Sequence, residues 1–226
     1  MTLQGKLDAI KTQLLTVLDP TDRRDLEDAI ERLRMLQLVE QGLAVGDMLP
    51  DFCLPDTAGR MVVSEDLLAA GPLAVMFFRG PWCPYCSLTL QALEEARPRI
   101  EGLGGSVVAI SPLPAAELRR MADERELRLS LLSDPGSAYA QVCGVRFEMT
   151  DSAIALYARL AARFGLTISG LDPASGWELP IPATYVAGRD GVIRFAFGDE
   201  DWARRAEPEA IVATVAELAQ AAAATD

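Results

Sequence analysis

The sequence contains no histidine. That absence removes Ser-His-Asp and Cys-His nucleophile activation, histidine-ligated zinc and the usual general base near neutral pH. Catalysis in this chain must rest on thiols, carboxylates, arginines, lysines, tyrosines or a bound cofactor. Long apolar runs are missing too. The longest, around Pro72 to Phe78, has the length of a strand and not of a membrane span. The stretch from Met1 to Pro20 mixes charge with apolar positions and shows no small-residue cleavage site, so it does not read as a secretory signal. Basic residues are outnumbered, 21 Lys and Arg against 33 Asp and Glu, and the net charge of −12 argues against nucleic acid and anionic membranes as partners. Four cysteines in 226 residues are too few for a disulfide framework. The expectation is a cytoplasmic protein, in which a Cys-x-x-Cys pair is catalytic or metal-binding and not a staple.

What is present is a chain long enough for one substantial core. Residues 3–43 read as helix, with Leu26, Ile30, Leu33 and Leu36 or Leu38 at three- and four-residue spacing. A break falls at Asp19-Pro20-Thr21-Asp22, where Thr21 or Asp22 is expected to cap the second helix. An apolar stripe this broad packs either on the body of the protein or on a second copy, so a homodimer through these helices is one expectation. The reading divides the chain into an N-terminal helical extension, 1–45, and a main domain, 46–226.

Beyond Asp47, short apolar stretches alternate with helical ones. A hairpin is expected from 52–54 and 61–63 around Asp56-Thr57-Ala58-Gly59. Buried strands are expected at 73–78, 107–110 and 129–132, and helices at 87–100, bent or ended by Pro98, and at 114–126. A helix around 151–164 precedes a Gly- and Pro-containing loop. A second hairpin, 183–187 with 192–197, turns at Gly188-Arg189-Asp190-Gly191, and a last helix covers 209–219 before a frayed alanine-rich tail. The pattern describes an α/β sandwich with a central mixed sheet.

In that frame Cys83-Pro84-Tyr85-Cys86 lies where a buried strand ends and a helix begins. Helix N-termini stabilise anions, and thiols react as thiolates, so the junction favours a reactive cysteine. Residues three apart on a helix face each other, which permits a disulfide. Zinc would need about four ligands, and without histidine only the isolated Cys53 and Cys143 could add to the pair, so no metal is expected. Two inert core cysteines remain a possible reading, but a redox dithiol suits the position best. Cys53 and Cys143 read as core residues, Arg204-Arg205 as a solvated pair, and Arg79 as the nearest cation in sequence. The segment 147–177 reads equally as a lid or as a packing helix.

Trp82-Cys83-Pro84-Tyr85-Cys86 after a strand resembles the active-site turn of thioredoxin-fold proteins. The run Leu179-Pro180-Ile181-Pro182-Ala183-Thr184 resembles the loop that carries a cis-proline opposite the dithiol in that fold, with Pro182 as the matching residue. Gly46 to Asp56, Val108 to Pro112, Leu132 to Gly136 and Arg189 to Arg194 are similar, in order, to the peroxiredoxin branch (alkyl hydroperoxide reductase/thiol-specific antioxidant). The resemblance implies a thioredoxin-like (peroxiredoxin-type) fold and a thiol-dependent antioxidant oxidoreductase without a cofactor. Its substrates would be hydroperoxides or disulfides, with a thioredoxin- or glutathione-type reductant. Catalytic Cys83 and Cys86 would be supported by Arg79, Trp82, Pro84, Tyr85, Pro182 and Thr184. The departures are specific. With Cys86 at the peroxidatic position, Cys83 replaces the family's threonine, Arg79 replaces its proline, and the arginine's counterpart falls near Pro182. Phe77 occupies the position of the buried aspartate of thioredoxins. Two sulfur assignments stay open: a peroxidase led by Cys86 or by Cys83, and a disulfide reductase led by Cys83. A redox-responsive interaction protein is the third reading.

Overall fold

In the computed structural model, residues 1–163 and 177–223 are described. Helix α1 (Leu3–Val17) starts from Thr2, whose hydroxyl accepts from the Gly5 N–H. Helix α2 (Pro20–Met35) is capped by Asp19, whose carboxylate accepts from the N–H groups of Thr21 and Asp22. The expected caps, Thr21 and Asp22, are therefore two and three residues too late. Proline at 20 suits the first helical position, where its missing N–H costs nothing, and so the cap precedes it. A short α3 (Leu38–Gln41) closes the leader.

Strands β1 (Cys53–Pro55) and β2 (Met61–Val63) form the first hairpin, followed by α4 (Ser64–Ala70). Then come β3 (Leu73–Phe77), α5 (Pro84–Gly102), β4 (Ser106–Ser111), α6 (Ala115–Glu124), β5 (Ser130–Ser133) and α7 (Ala138–Val142). The chain continues through β6 (Arg146–Glu148), α8 (Asp151–Arg163), β7 (Glu178–Pro180), β8 (Ala183–Ala187), β9 (Ile193–Gly198) and α9 (Pro208–Ala223). The main sheet has the order β5-β4-β3-β8-β9, with β3, β4 and β5 parallel and β8 and β9 antiparallel to their neighbours. Every residue of β3 is buried, as a continuous apolar run predicts for a central strand. Helices α5 and α9 pack on each other and on the sheet, α1 packs on α5, and α2 on α8.

Three expectations change. Helix α5 begins at Pro84 and runs through Pro98. An interior proline costs about 3 kcal/mol, but Leu90, Leu93, Ala96 and Ile100 are all buried. At about 1.5–3 kcal/mol for each large apolar side chain, their burial outweighs the lost hydrogen bond. The Ile181–Pro182 bond is not cis, nor is any other among the described residues. Here the Ile181 N–H donates to the Val145 carbonyl and the chain enters β8 through a bend at Pro182 with the common trans bond. Helix α9 continues to Ala223, which extends it through the alanine-rich stretch; alanine is the best helix former.

Most of the apolar stripe of α2 is buried within its own chain: Leu26, Ile30 and Leu33 are 4%, 8% and 7% exposed, whereas Leu36, just past the helix, is 48% exposed. Charges fix the leader in place. The Glu207 carboxylate accepts from the Leu3 and Gln4 N–H groups at the start of α1, where a helix favours an anion. Lys11 pairs with Asp201. On the other side, Arg159 and Arg163 of α8 pair with Asp22, Asp25 and Asp19.

Candidate active site

Phe78 still bonds the Ile110 carbonyl, after which the chain leaves the sheet through Arg79-Gly80-Pro81-Trp82. A side chain at position 80 would meet the Trp82 indole nitrogen at 2.7 Å, so glycine is what lets this ring fold back over the turn. Cys83 takes the cap position of α5 and Pro84 its first turn, with Cys86 one turn further in. Both sulfur-bearing residues are buried, 2% and 1% exposed.

Two guanidinium groups meet this pair from different elements. Arg79 Nη2 lies 3.6 Å from Cys83 Sγ, and its Nη1 donates to the Tyr157 hydroxyl at 3.0 Å. Its guanidinium carbon is 5.7 Å from the ring centres of Trp82 and Tyr157 and 5.3 Å from that of Trp202. Such cation–π contacts stabilise a desolvated cation. Arg205, from the segment between β9 and α9, places Nη2 3.6 Å from Cys86 Sγ while its Nη1 donates to the Trp202 and Arg204 carbonyls.

The electrostatic result is a thiol pair that shares a proton. Cys86 is held well below the ordinary thiol range, first by the Cys83 S–H that donates to it, then by Arg205, Arg79 and the Arg79 backbone N–H, against the cost of burial. Cys83 is pushed well above that range by burial and by the charge on Cys86. The first proton leaves easily and the second late, and both steps belong to the pair. Burial pushes the Tyr157 phenol up to about 12, although Arg79 works the other way, so it stays neutral.

A cavity of about 350 Å³ opens beside the dithiol. Its walls are Ile10, Gln13, Leu14 and Val17 of α1, Leu26 of α2, and Tyr157, Leu160 and Ala161 of α8; its floor includes Arg79, Trp82, Cys83, Pro84, Tyr85 and Trp202. Cys83 lines it and Cys86 does not.

The structure thus brings together Cys83, Cys86, Arg79, Trp82, Pro84 and Tyr85. Pro182 and Thr184 are buried next to β3, with Thr184 paired to Met76, but neither lines the cavity. Arg205 overturns the solvated-pair expectation: Arg204 is exposed, but Arg205 is only 6% exposed and reaches Cys86. Sequence reading also missed Trp202 as a site residue. The one signal for both was that an arginine and a tryptophan share a short stretch, Trp202-Ala203-Arg204-Arg205-Ala206. Cys53 is exposed and not in the core, because the small β1–β2 sheet covers only one side of it. Cys143 is buried, as expected. Of the 147–177 segment, α8 forms a wall of the cavity; the expected Gly- and Pro-containing loop lies outside the described residues. Among the described residues, no group of three or more cysteines and carboxylates could hold a metal.

A five-stranded mixed sheet with a dithiol at the strand-to-helix junction beneath it defines a thioredoxin-fold, peroxiredoxin-like protein. The chain belongs to the AhpC/TSA family, which it matches over residues 45–196. It is 30% identical over 103 residues to "Peroxiredoxin Bcp" of Escherichia coli K12, covering 46% of this chain and 65% of that protein. It is 32% identical over 105 residues to "Methylamine utilization protein MauD" of Paracoccus denitrificans, covering 45% and 51%. The chain thus spans between half and two thirds of the length of these relatives. Among solved structures, "Peroxidoxin BcpB" of Mycobacterium tuberculosis superposes with a TM-score of 0.57 at 20% identity, over 79% of this chain and 97% of that one. AhpC of Enterococcus faecalis gives a TM-score of 0.57 at 19% identity, over 79% and 93%. These two likenesses bear on the fold.

Proposed function

We propose that the protein is a thiol-dependent peroxidase that reduces hydroperoxides through a Cys83–Cys86 dithiol–disulfide cycle. The observation that carries this reading is the pairing of each sulfur with its own buried guanidinium, within a family of thiol antioxidant proteins. Of the two sulfur assignments, the cavity favours Cys83 as the one that meets substrate. Transfer of the shared proton to Cys86 leaves the charge on Cys83 beside Arg79. The Cys83 thiolate attacks the terminal peroxide oxygen, the O–O bond breaks, and the leaving alkoxide takes the Cys86 proton to become an alcohol. Cys83 is now a sulfenic acid, oxidised by two electrons. The Cys86 thiolate attacks it, and hydroxide leaves and takes a proton from solvent as the disulfide forms. A thioredoxin- or glutathione-type thiol returns both electrons.

The disulfide-reductase reading is weaker, since the two buried guanidiniums stabilise the reduced, anionic pair and so disfavour its oxidation by a substrate disulfide. A homodimer through the leader helices has less motive than the sequence offered, since Leu26, Ile30 and Leu33 are already covered and only the end of the stripe, at Leu36, is exposed. The cytoplasmic setting is proposed from the cysteine usage; among the described residues, no helix is long and apolar enough to cross a membrane. The test is the second-order rate constant of the reduced protein with hydrogen peroxide and with an organic hydroperoxide, against free cysteine at the same pH. Rates far above free cysteine are expected, with dimedone trapping a sulfenic acid at Cys83 in Cys86→Ser. Rates equal to free cysteine would overturn the reading.

A further inference from the structure

Two buried cations and one anion make an unequal site. Arg79 and Arg205 are 2% and 6% exposed, and among the described residues neither has a carboxylate partner. Arg79 is held by a phenol hydroxyl and three aromatic rings, and Arg205 by two carbonyls. Of the acids flanking Arg205, Asp201 is engaged by Lys11 and by the Ala203 N–H, and Glu207 by the Leu3 and Gln4 N–H groups. The other titratable groups facing the sulfurs, Tyr85 of α5 and Tyr157 of α8, are neutral below pH 8, since burial raises both phenols. In the reduced protein, the shared thiolate is therefore the counter-charge of both guanidiniums. Oxidation to the disulfide removes it and leaves two desolvated cations facing neutral sulfur. A buried charge stripped of its partner is costly, and a disulfide whose reduced form is selectively stabilised is a strong oxidant.

We propose that the oxidised protein is a disulfide donor: the unequal charge makes the Cys83–Cys86 bond strongly oxidising, and the protein hands it to dithiol substrates. A client thiolate enters from the cavity side and bonds to Cys83 Sγ. The Cys83–Cys86 bond breaks, and its electron pair leaves on Cys86, beside Arg205. The client's second thiol loses its proton to solvent and attacks the client sulfur of the mixed disulfide. Cys83 departs as a thiolate and takes up a proton. The client loses two electrons and the protein gains them. Hydroperoxide re-forms the disulfide, and in that clause alone the proposal rests on the peroxidase reading.

Equilibration with reduced and oxidised glutathione, quenched by alkylation and read by mass, tests the charge argument without peroxide. The expected equilibrium constant for reduction is at least a thousandfold above that of thioredoxin, about 90 mV more oxidising. Because the reduced pair holds one proton where two ordinary thiols hold two, the constant should rise about tenfold per pH unit between pH 6 and 7.5. Arg205→Met should lower it at least tenfold, while Arg205→Lys, which keeps the charge, should stay within threefold of the parent. If Arg205→Met does not fold, Arg79→Met is expected to give the same tenfold fall. A constant no larger than thioredoxin's, or one that does not change with pH, overturns the proposal. For the donor step, pre-oxidised protein and an equimolar reduced dithiol peptide should yield the cyclic peptide disulfide mole for mole; no transfer overturns it. A protein inert to peroxide would still give these results, so the two readings fail separately.

Discussion

Cys86 and Cys143 are equally buried, each 1% exposed, yet their thiols go opposite ways. Burial pushes Cys143 up to about 12, with the Asp134 charge adding to it and the Tyr139 hydroxyl working against it. Around Cys86 the same burial is overcome by the Cys83 S–H and two guanidiniums. Burial alone makes a cysteine inert; burial together with charge of the right sign holds it as a thiolate. The difference comes from neighbours brought from distant parts of the chain.

The harshest way to break the comparison is to remove a sulfur. Cys83→Ser and Cys86→Ser are each expected to abolish peroxide turnover under a thiol donor, with melting temperature little changed; steady-state assays and thermal melts check this. The second is to make the dithiol resemble Cys143. In Arg205→Met or Arg79→Met, loss of a nearby positive charge delays the first ionisation of the pair. Alkylation by iodoacetamide at pH 6 should then fall about 10- to 100-fold, with the two proteins converging above pH 9. The sign follows from the charge: a cation favours the thiolate, so its loss delays ionisation.

A smaller effect is expected at Cys143 itself. Cys143→Ala should leave peroxide turnover unchanged and cost about 1 kcal/mol of stability in urea melts. Peptide mapping after alkylation at pH 8 should find Cys143 unmodified and Cys53 modified. The smallest concerns the roof. Asp201 is held below the usual carboxylate range, with burial opposing and the Lys11 ammonium and Ala203 N–H prevailing. Its contribution to stability is therefore complete above the unfolded carboxylate value and lost as pH falls through the lower folded one. Asp201→Asn should weaken α1 docking by no more than about 1 kcal/mol, since Lys11 is partly exposed. Faster labelling of Cys83 by a bulky maleimide, together with lost acid sensitivity of that rate, would show it.

Most of the fold was legible because it depends on local patterns. The apolar run of β3, the turn signals of both hairpins and the helix after Cys83 each state their structure within a few residues. Pro98 was misleading because its local cost is set against burial by residues from α9 and the sheet, which spacing does not reveal. Pro182 was misleading for the opposite reason: the motif invites a cis bond, but the bend from β7 to β8 is made with a trans one. The dithiol could be read from sequence, since both sulfurs and Arg79 lie within eight positions. Arg205 could not, because 119 residues separate it from Cys86 and nothing in an Arg-Arg pair says which one turns inward.

The cage around Arg79 has a practical side. Two of the three tryptophans, Trp82 and Trp202, lie within 6 Å of the one guanidinium that also touches Cys83. Any change in the charge on that sulfur alters the field felt by both indoles. The protein therefore carries its own optical gauge, and its emission should follow each turn of the cycle without an added dye.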